Sequence, residues 1–217
     1  MDENELKEKV KQLREDSPKR NFSQAIDLIV TLRDLNLKNP DEQLNFYANL
    51  SHGLGKKMKV GAFVGPEMKE KAEEVCDTVV PQEEFDKYKD KKKAKKLADE
   101  HDYFIAQADI MPKVATAFGK VLGPRGKMPN PKLGSVLPGK APLEPVYQKL
   151  QNTISVTAKN SPMVQVKVGK EDMKDDHIVD NISQVYNQIL NNLPKDRSNV
   201  NKVLLKLTMS KPVEVDL

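Results

Sequence analysis

Apolar positions along the N-terminal third change period twice. Leu6, Val10 and Leu13 share one face of a helix over residues 4–14. Ile26, Leu28, Val30 and Leu32 then alternate with polar or smaller residues, which predicts a half-buried strand over 26–32. Residues 44–50 repeat the alternation with Leu44, Phe46, Ala48 and Leu50, until the two glycines of HGLGK (52–56) break it.

The middle of the chain has a different grammar. VGAFVG (60–65) is a compact apolar run that ends at Gly65-Pro66, a strand leading into a helix start. Met68, Ala72 and Val75 carry that helix, and TVV (78–80) closes it in a short strand. YFIA (103–106) is another apolar strand. From Met111 the positions Val114, Ala115, Phe118 and Leu122 recur at helical spacing, with Pro112 suited to a first turn. Strands alternating with helices predict a parallel sheet with helices packed on it. Residues 124–145 hold six of the fourteen prolines and read as mostly loop.

Alternation returns at Ile154/Val156/Ala158 and at Val164/Val166/Val168. A helical stripe of Ile178, Ile182, Val185 and Ile189 follows, and a last strand over 202–208 buries Val203, Leu205 and Leu207. The simplest account is one domain inserted into another. Residues 1–58 and 153–217 make an outer α+β domain, an antiparallel sheet with helices on one side. Residues 59–152 make an inserted α/β domain, doubly wound, Rossmann-like and three-layered. Two chain crossings near residues 59 and 152 then form a hinge.

Composition narrows the chemistry. No run approaches the ~20 apolar residues of a membrane span, and the N-terminus lacks the apolar core of a signal peptide, so the cytoplasm is expected. Cys76 is the only cysteine, which excludes an internal disulfide and a cysteine zinc site. His52, His101 and His177 are scattered without ligand spacing, so no metal is expected. Net charge is +4, and no segment is a basic tail: residues 1–58 carry ten cations against ten anions, 59–152 seventeen against fourteen, 153–217 nine against eight. Any nucleic-acid contact must therefore come from local faces. The lysine-rich stretch 87–96 is interleaved with Asp90 and flanked by Asp86 and Asp99, and reads as a solvated helix face.

One local face stands out. Between Asp109 and Glu144 there is no acidic residue, against six basic ones: Lys113, Lys120, Arg125, Lys127, Lys132 and Lys140. Glycines 119, 123 and 126 with Pro124 shape a tight loop at a helix C-terminus. It reads either as cations and free backbone N–H groups where phosphate oxygens dock, or as a solvated connection. A Walker-type phosphate loop fails on spacing, since Val121 stands five residues before Gly126 and Met128 follows Lys127. A dinucleotide fingerprint fails as well, because Gly65 stands alone after the first inner strand. An enzyme that binds a nucleotide on the inserted domain is the competing reading, without a nucleophile–base pair to support it. A third is an RNA-processing or chaperone protein outside the ribosome.

Residues IAQADIMPKVATAFGKVLGPRGKMPNP (105–131) closely resemble the signature of the ribosomal protein L-one family, and LSHGLGK (50–56), VKVGKEDM (166–173), IVDNI (178–182) and KLTMS (206–210) match its motifs in order. The resemblance spans nearly the whole chain. The short N-terminal helix and RNF (20–22) look archaeal rather than bacterial. It implies a non-enzymatic structural constituent of the large ribosomal subunit that binds rRNA of the stalk beside the tRNA exit site. It further implies help in releasing deacylated tRNA from that site and repression of its own mRNA. The implied partners are large-subunit rRNA, exit-site tRNA and that messenger, with no cofactor, no membrane and a free protein that is monomeric. Feedback requires rRNA to win over the messenger by at least ~1.4 kcal/mol, a tenfold ratio.

The family's contact positions fall on Phe22 and on Thr208-Met209-Ser210, and further on Lys167, Gly169 and Lys170. By strand parity Phe22 belongs with the core residues Ile26 and Leu28, and only the resemblance puts it on an RNA surface. Thr208 shares parity with Lys202 and Lys206, a solvent face offering two cations and a hydroxyl. Such a face suits double-helical RNA, whose bases are hidden and whose phosphates and 2′-hydroxyls are read instead. Arg125 and Lys127 are expected to add secondary RNA contacts. The family usually has glycine where Ser210 stands, so a need for φ > 0 there would carry a cost. Asn21 stands where bacterial members have lysine.

Overall fold

The computed structural model describes residues 3–88, 90–139 and 141–215. The chain begins with α1 (Glu3–Glu15), β1 (Ala25–Leu32) and β2 (Leu44–Asn49). It continues through β3 (Val60–Val64), α2 (Lys69–Val75), β4 (Thr78–Pro81), α3 (Lys91–Glu100), β5 (Tyr103–Gln107), α4 (Met111–Leu122), β6 (Val136–Leu137) and α5 (Glu144–Gln151). It ends with β7 (Thr153–Ala158), β8 (Met163–Lys170), α6 (Asp175–Asn191), β9 (Val200–Leu207) and β10 (Val213–Val215). Two compact units result, Met1–Lys56 with Asn152–Leu217, and Lys57–Gln151.

In the outer unit an antiparallel sheet runs β10-β9-β1-β8, and β2 pairs with β7 in a second, two-stranded sheet. Every second residue of β1 is buried: Ile26, Leu28, Val30 and Leu32. The same alternation in β8 and β9 leaves one face of the sheet for α1 and α6 to cover. Leu6, Val10 and Leu13 of α1 and Ile178, Ile182, Val185 and Ile189 of α6 close that core. In β2, Leu44 and Ala48 are buried but Phe46 is only half-buried. The two N-terminal glycines of the 52–56 segment take left-handed backbone, φ +61 at Gly53 and +67 at Gly55, as a sharp exit from β2 requires.

The inner unit is a parallel α/β sheet in the order β4-β3-β5-β6. All five residues of β3 are buried, the signature of a strand covered on both faces. On one face Phe63, Phe85, Phe104 and Phe118 form an aromatic cluster under α3 and α4. α4 buries Val114, Phe118, Val121 and Leu122, whereas Ala115 is exposed, so the stripe is displaced toward Val121 from the one expected. The lysines of α3 point to solvent around buried Ala94, Leu97 and Ala98. Residues 124–145 are not all loop: β6 lies within them, and α5 starts at Glu144 with Pro145 in its first turn. The first and last passes of this unit are stitched together, because the Gln151 amide accepts from the Met58 N–H (2.7 Å) and donates to its carbonyl (2.8 Å).

Candidate nucleic-acid interface

The family-matched residues of the outer unit converge at one end of its four-stranded sheet. β1 begins only at Ala25, so strand parity does not reach Phe22, which is 51% exposed. Register puts Ala25 opposite Lys170, and Ile26 opposite both Gly169 and Leu207. The Thr208-Met209-Ser210 turn and the end of β8 therefore flank the segment that carries Phe22. Between Ile26 and Asp27 the register slips by one, a bulge that bends this end of β8.

Gln24 binds the three segments into one piece. It is 1% exposed; its carbonyl accepts the Glu171 N–H (3.0 Å), and its amide accepts from the Met209 N–H (3.0 Å) and donates to the Glu171 carboxylate (3.3 Å). Ser23 donates its hydroxyl to Asp172 beside it. Met209, 57% exposed, is thus fixed by its backbone while its side chain stays in water. The sequence reading missed Gln24, and a polar residue with core parity next to an exposed aromatic was its only signal.

The hydroxyl of Thr208 is not free for RNA in the way the sequence alone implied. It accepts the Ala25 N–H (3.1 Å), while the Thr208 N–H donates to the Ala25 carbonyl (3.1 Å), so the side chain completes the ladder at the end of β1. Ser210 carries no left-handed strain, since Asp34 and Asp196 are the only described non-glycine residues at positive φ. Its hydroxyl instead accepts the Leu207 N–H (2.9 Å) and donates to the Lys211 carbonyl (3.0 Å), closing the turn. Gly169 is needed for space: an added Cβ would lie 3.1 Å from the Met173 sulfur.

The cations of the exposed sheet face are partly neutralised. Asp27 sits directly across from Lys167 on one side and Lys206 on the other. Lys202 pairs with Glu214 at 3.0 Å and lies six residues before Thr208, roughly 20 Å along the strand. Lys170 stands opposite Ala25, and Lys211 directly follows the turn.

Behind this end, other sequence motifs meet. Asn181, fully buried on α6, accepts the His52 N–H (3.2 Å) and donates to the carbonyls of Gly53 and Val168 (2.9 Å each). A Cβ on Gly55 would lie 2.8 Å from the Met173 sulfur, so the 52–56 segment packs directly on the 171–174 loop. Arg14 reaches from α1 to the Met173 carbonyl (2.6 Å).

On the inner unit the glycine loop after α4 is a helix cap. Gly126, at φ +66, donates to the Gly123 carbonyl (3.0 Å), and Lys127 N–H donates to the Leu122 carbonyl (3.1 Å), the paired bonds of a Schellman motif. The expected free N–H groups for phosphate are thereby spent on the helix end. The Lys127 ammonium donates to the carbonyls of Ala98 and His101 at 2.7 Å each, closing the C-terminus of α3. Arg125 pairs with Asp99 at 3.1 Å. Lys113, Lys120 and Lys132 are exposed, and Lys140 lies outside the described residues. Lys127→Met is expected to cost the inner unit about 1–2 kcal/mol through the lost charge at the helix end. Urea unfolding followed by circular dichroism reads this; unchanged stability would hand the cation back to RNA.

At the crevice at the carboxyl ends of β3 and β5, where an open α/β sheet takes its ligands, a cavity of about 380 Å³ remains, but the amide that faces it is spent on the protein. Gln107 accepts the Gly65 N–H there and donates to the Gly139 carbonyl (3.2 Å). Burial, with Asp77 beside it, pushes the Cys76 thiol up to about 11, so it is no thiolate nucleophile at neutral pH. Among the described residues no group of histidine, cysteine and carboxylate side chains could hold a metal ion, and no helix is long and apolar enough to cross a membrane.

The chain is similar to known proteins over nearly its whole length. A protein from Nanoarchaeum equitans named large ribosomal subunit protein uL1 is 43% identical over 96% of this chain and 98% of its own. Proteins of the same name from Methanothermococcus thermolithotrophicus (38% identity, 100% of both chains) and Hyperthermus butylicus (39%, covering 98% and 96%) are similar throughout, and all three sources are archaea. The family model described as Ribosomal protein L1p/L10e matches residues 6–211, a span that takes in both units and every residue of the sheet end from Phe22 to Ser210. The chain belongs to the ribosomal protein L1p/L10e family.

Proposed function

We propose that this protein is a non-enzymatic constituent of the large ribosomal subunit, working with the ribosome in the cytoplasm, whose outer unit grips stalk-region rRNA. The grip is the sheet end carrying Phe22, Gly169, Lys170 and Thr208-Met209-Ser210, with Lys167, Lys202 and Lys206 adding charge along the exposed face. The observation that carries the reading is apolar. Of the three large hydrophobic side chains exposed among the described residues, two, Phe22 and Met209, belong to this one end. The Met209 backbone is held by the buried Gln24, which lies two residues after Phe22. Rigid apolar groups beside a lysine and exposed backbone fit the sugar edge of a folded RNA.

The outer domain, residues 1–58 and 153–217, carries the affinity in this reading, and the inserted domain, 59–152, is joined to it by two hinge passes. For Arg125 and Lys127 a phosphate contact would have to replace existing bonds to α3, so the inner loop is left out of the grip. Through the same family likeness the protein helps deacylated tRNA leave the exit site and represses its own messenger, whose fold imitates the rRNA target. It is a monomer when free.

Phe22→Ala, Thr208→Ala and Met209→Ala are each expected to weaken stalk rRNA binding by ~1–3 kcal/mol with the fold intact. Filter binding with a circular-dichroism control measures this. Affinity unchanged in all three variants would overturn the assignment.

A further inference from the structure

The inner unit carries a groove of about 630 Å³ that the RNA grip does not use. One bank is α4, and the other is the 3-10 strap Gln82–Tyr88 with the start of α3. Its floor is apolar, formed by Phe85, Ala94 and Val121. Small residues, Ala94 on α3 and Ala117 on α4, line the groove together with the ring of Tyr88.

Its lining carries three lysines against one carboxylate, Asp86 on the strap. Lys113 and Lys120 lie on α4 at either end of the groove and Lys91 lies across from them, all exposed. No ion pair engages any of the three among the described residues, whereas nearby Lys69, Lys87 and Lys96 are paired with glutamates. Lys113 and Lys120 are seven residues apart, about 10.5 Å along the helix axis. Carboxylates seven residues apart on a second helix laid beside α4 repeat at the same distance.

We propose that this groove docks an acidic amphipathic α-helix of a protein partner, with leucine-type anchors on the floor and carboxylates against Lys113, Lys120 and Lys91. The floor favours a helix over RNA, because side chains such as Phe85, Ala94 and Val121 offer bases no hydrogen bonds. The mode is the helix-in-groove recognition that small helical layers commonly provide.

The test uses the full chain and three fluorescein-labelled probes. They are a helical peptide of about 18 residues with leucine at the a and d positions and glutamate at e and g, a scrambled peptide of the same composition, and a uridine decamer. The helical peptide is expected to bind saturably with a Kd on the order of 10 µM, and Lys113→Glu/Lys120→Glu to weaken it by at least about tenfold. Both substitutions are on exposed positions, and circular dichroism checks the fold. No binding of the helical peptide, equal binding of the scrambled one, or affinity kept by the charge-reversed variant overturns the proposal. So does displacement of the helical peptide by the uridine decamer, which would assign the groove to RNA.

Discussion

Phe63→Ala is expected to lower the unfolding temperature of the inner unit by about 20 °C while leaving the outer unit's transition in place. The ring is fully buried and lies 4.7 Å from Phe118, 5.2 Å from Phe104 and 5.8 Å from Phe85, centroid to centroid. Truncating such a residue typically costs ~3–5 kcal/mol, from lost transfer energy and from the cavity that the three remaining rings cannot fill. That is a large part of the ~5–15 kcal/mol that a domain has in total. Each kcal/mol moves the midpoint of a domain this size by roughly 4–8 °C. Scanning calorimetry of wild type and variant resolves the matter. A single transition that shifts as a whole would mean that the two compact units melt as one.

Asn181→Leu should cost the outer unit about 4 kcal/mol, since leucine branches as asparagine does but is bulkier and makes no hydrogen bond. The amide has no contact with water, and its removal leaves the carbonyls of Gly53 and Val168 buried without its donor and the part-buried His52 N–H without its acceptor. Each orphaned group carries a desolvation cost of ~1–3 kcal/mol, and partial relaxation of the 52–56 segment recovers some of the sum. Asn181 is also the only link named here between that segment and β8, so hydrogen exchange at the His52 amide should speed up well beyond the global effect. Denaturant unfolding gives the first quantity and exchange the second. A cost below about 1 kcal/mol would mean that water enters and replaces the amide.

The three long outer strands were legible because each buries one face, and period-2 alternation records that directly in Ile26/Leu28/Val30, Val164/Val166/Val168 and Val203/Leu205/Leu207. The inner strands were legible for the opposite reason, as short continuous apolar runs covered on both sides. Three elements were hidden. β6 and β10 are only two and three residues long, too short to establish a period, and Pro145 reads as loop punctuation when it opens α5. At the candidate site, parity misassigned Phe22 because a strand's pattern is silent about where the strand starts. The roles of Thr208 and Lys127 were illegible for a common reason. A hydroxyl or an ammonium looks the same in sequence whether it faces solvent or satisfies a backbone group distant along the chain.

The position of β1 in its sheet bears on how the chain is made. Its hydrogen-bonding neighbours are β8 and β9, which begin at residues 163 and 200, whereas the inner unit is one continuous stretch, 57–151. During synthesis the inserted unit can therefore fold as soon as it leaves the exit tunnel. The alternating strand Ala25–Leu32 must wait, both edges unsatisfied, until nearly all of the chain has emerged. An unpaired apolar strand of this kind recruits other chains as readily as its own. Slowing translation over residues 152–200 should lengthen that interval and raise the fraction of nascent protein lost to aggregation or held by chaperones.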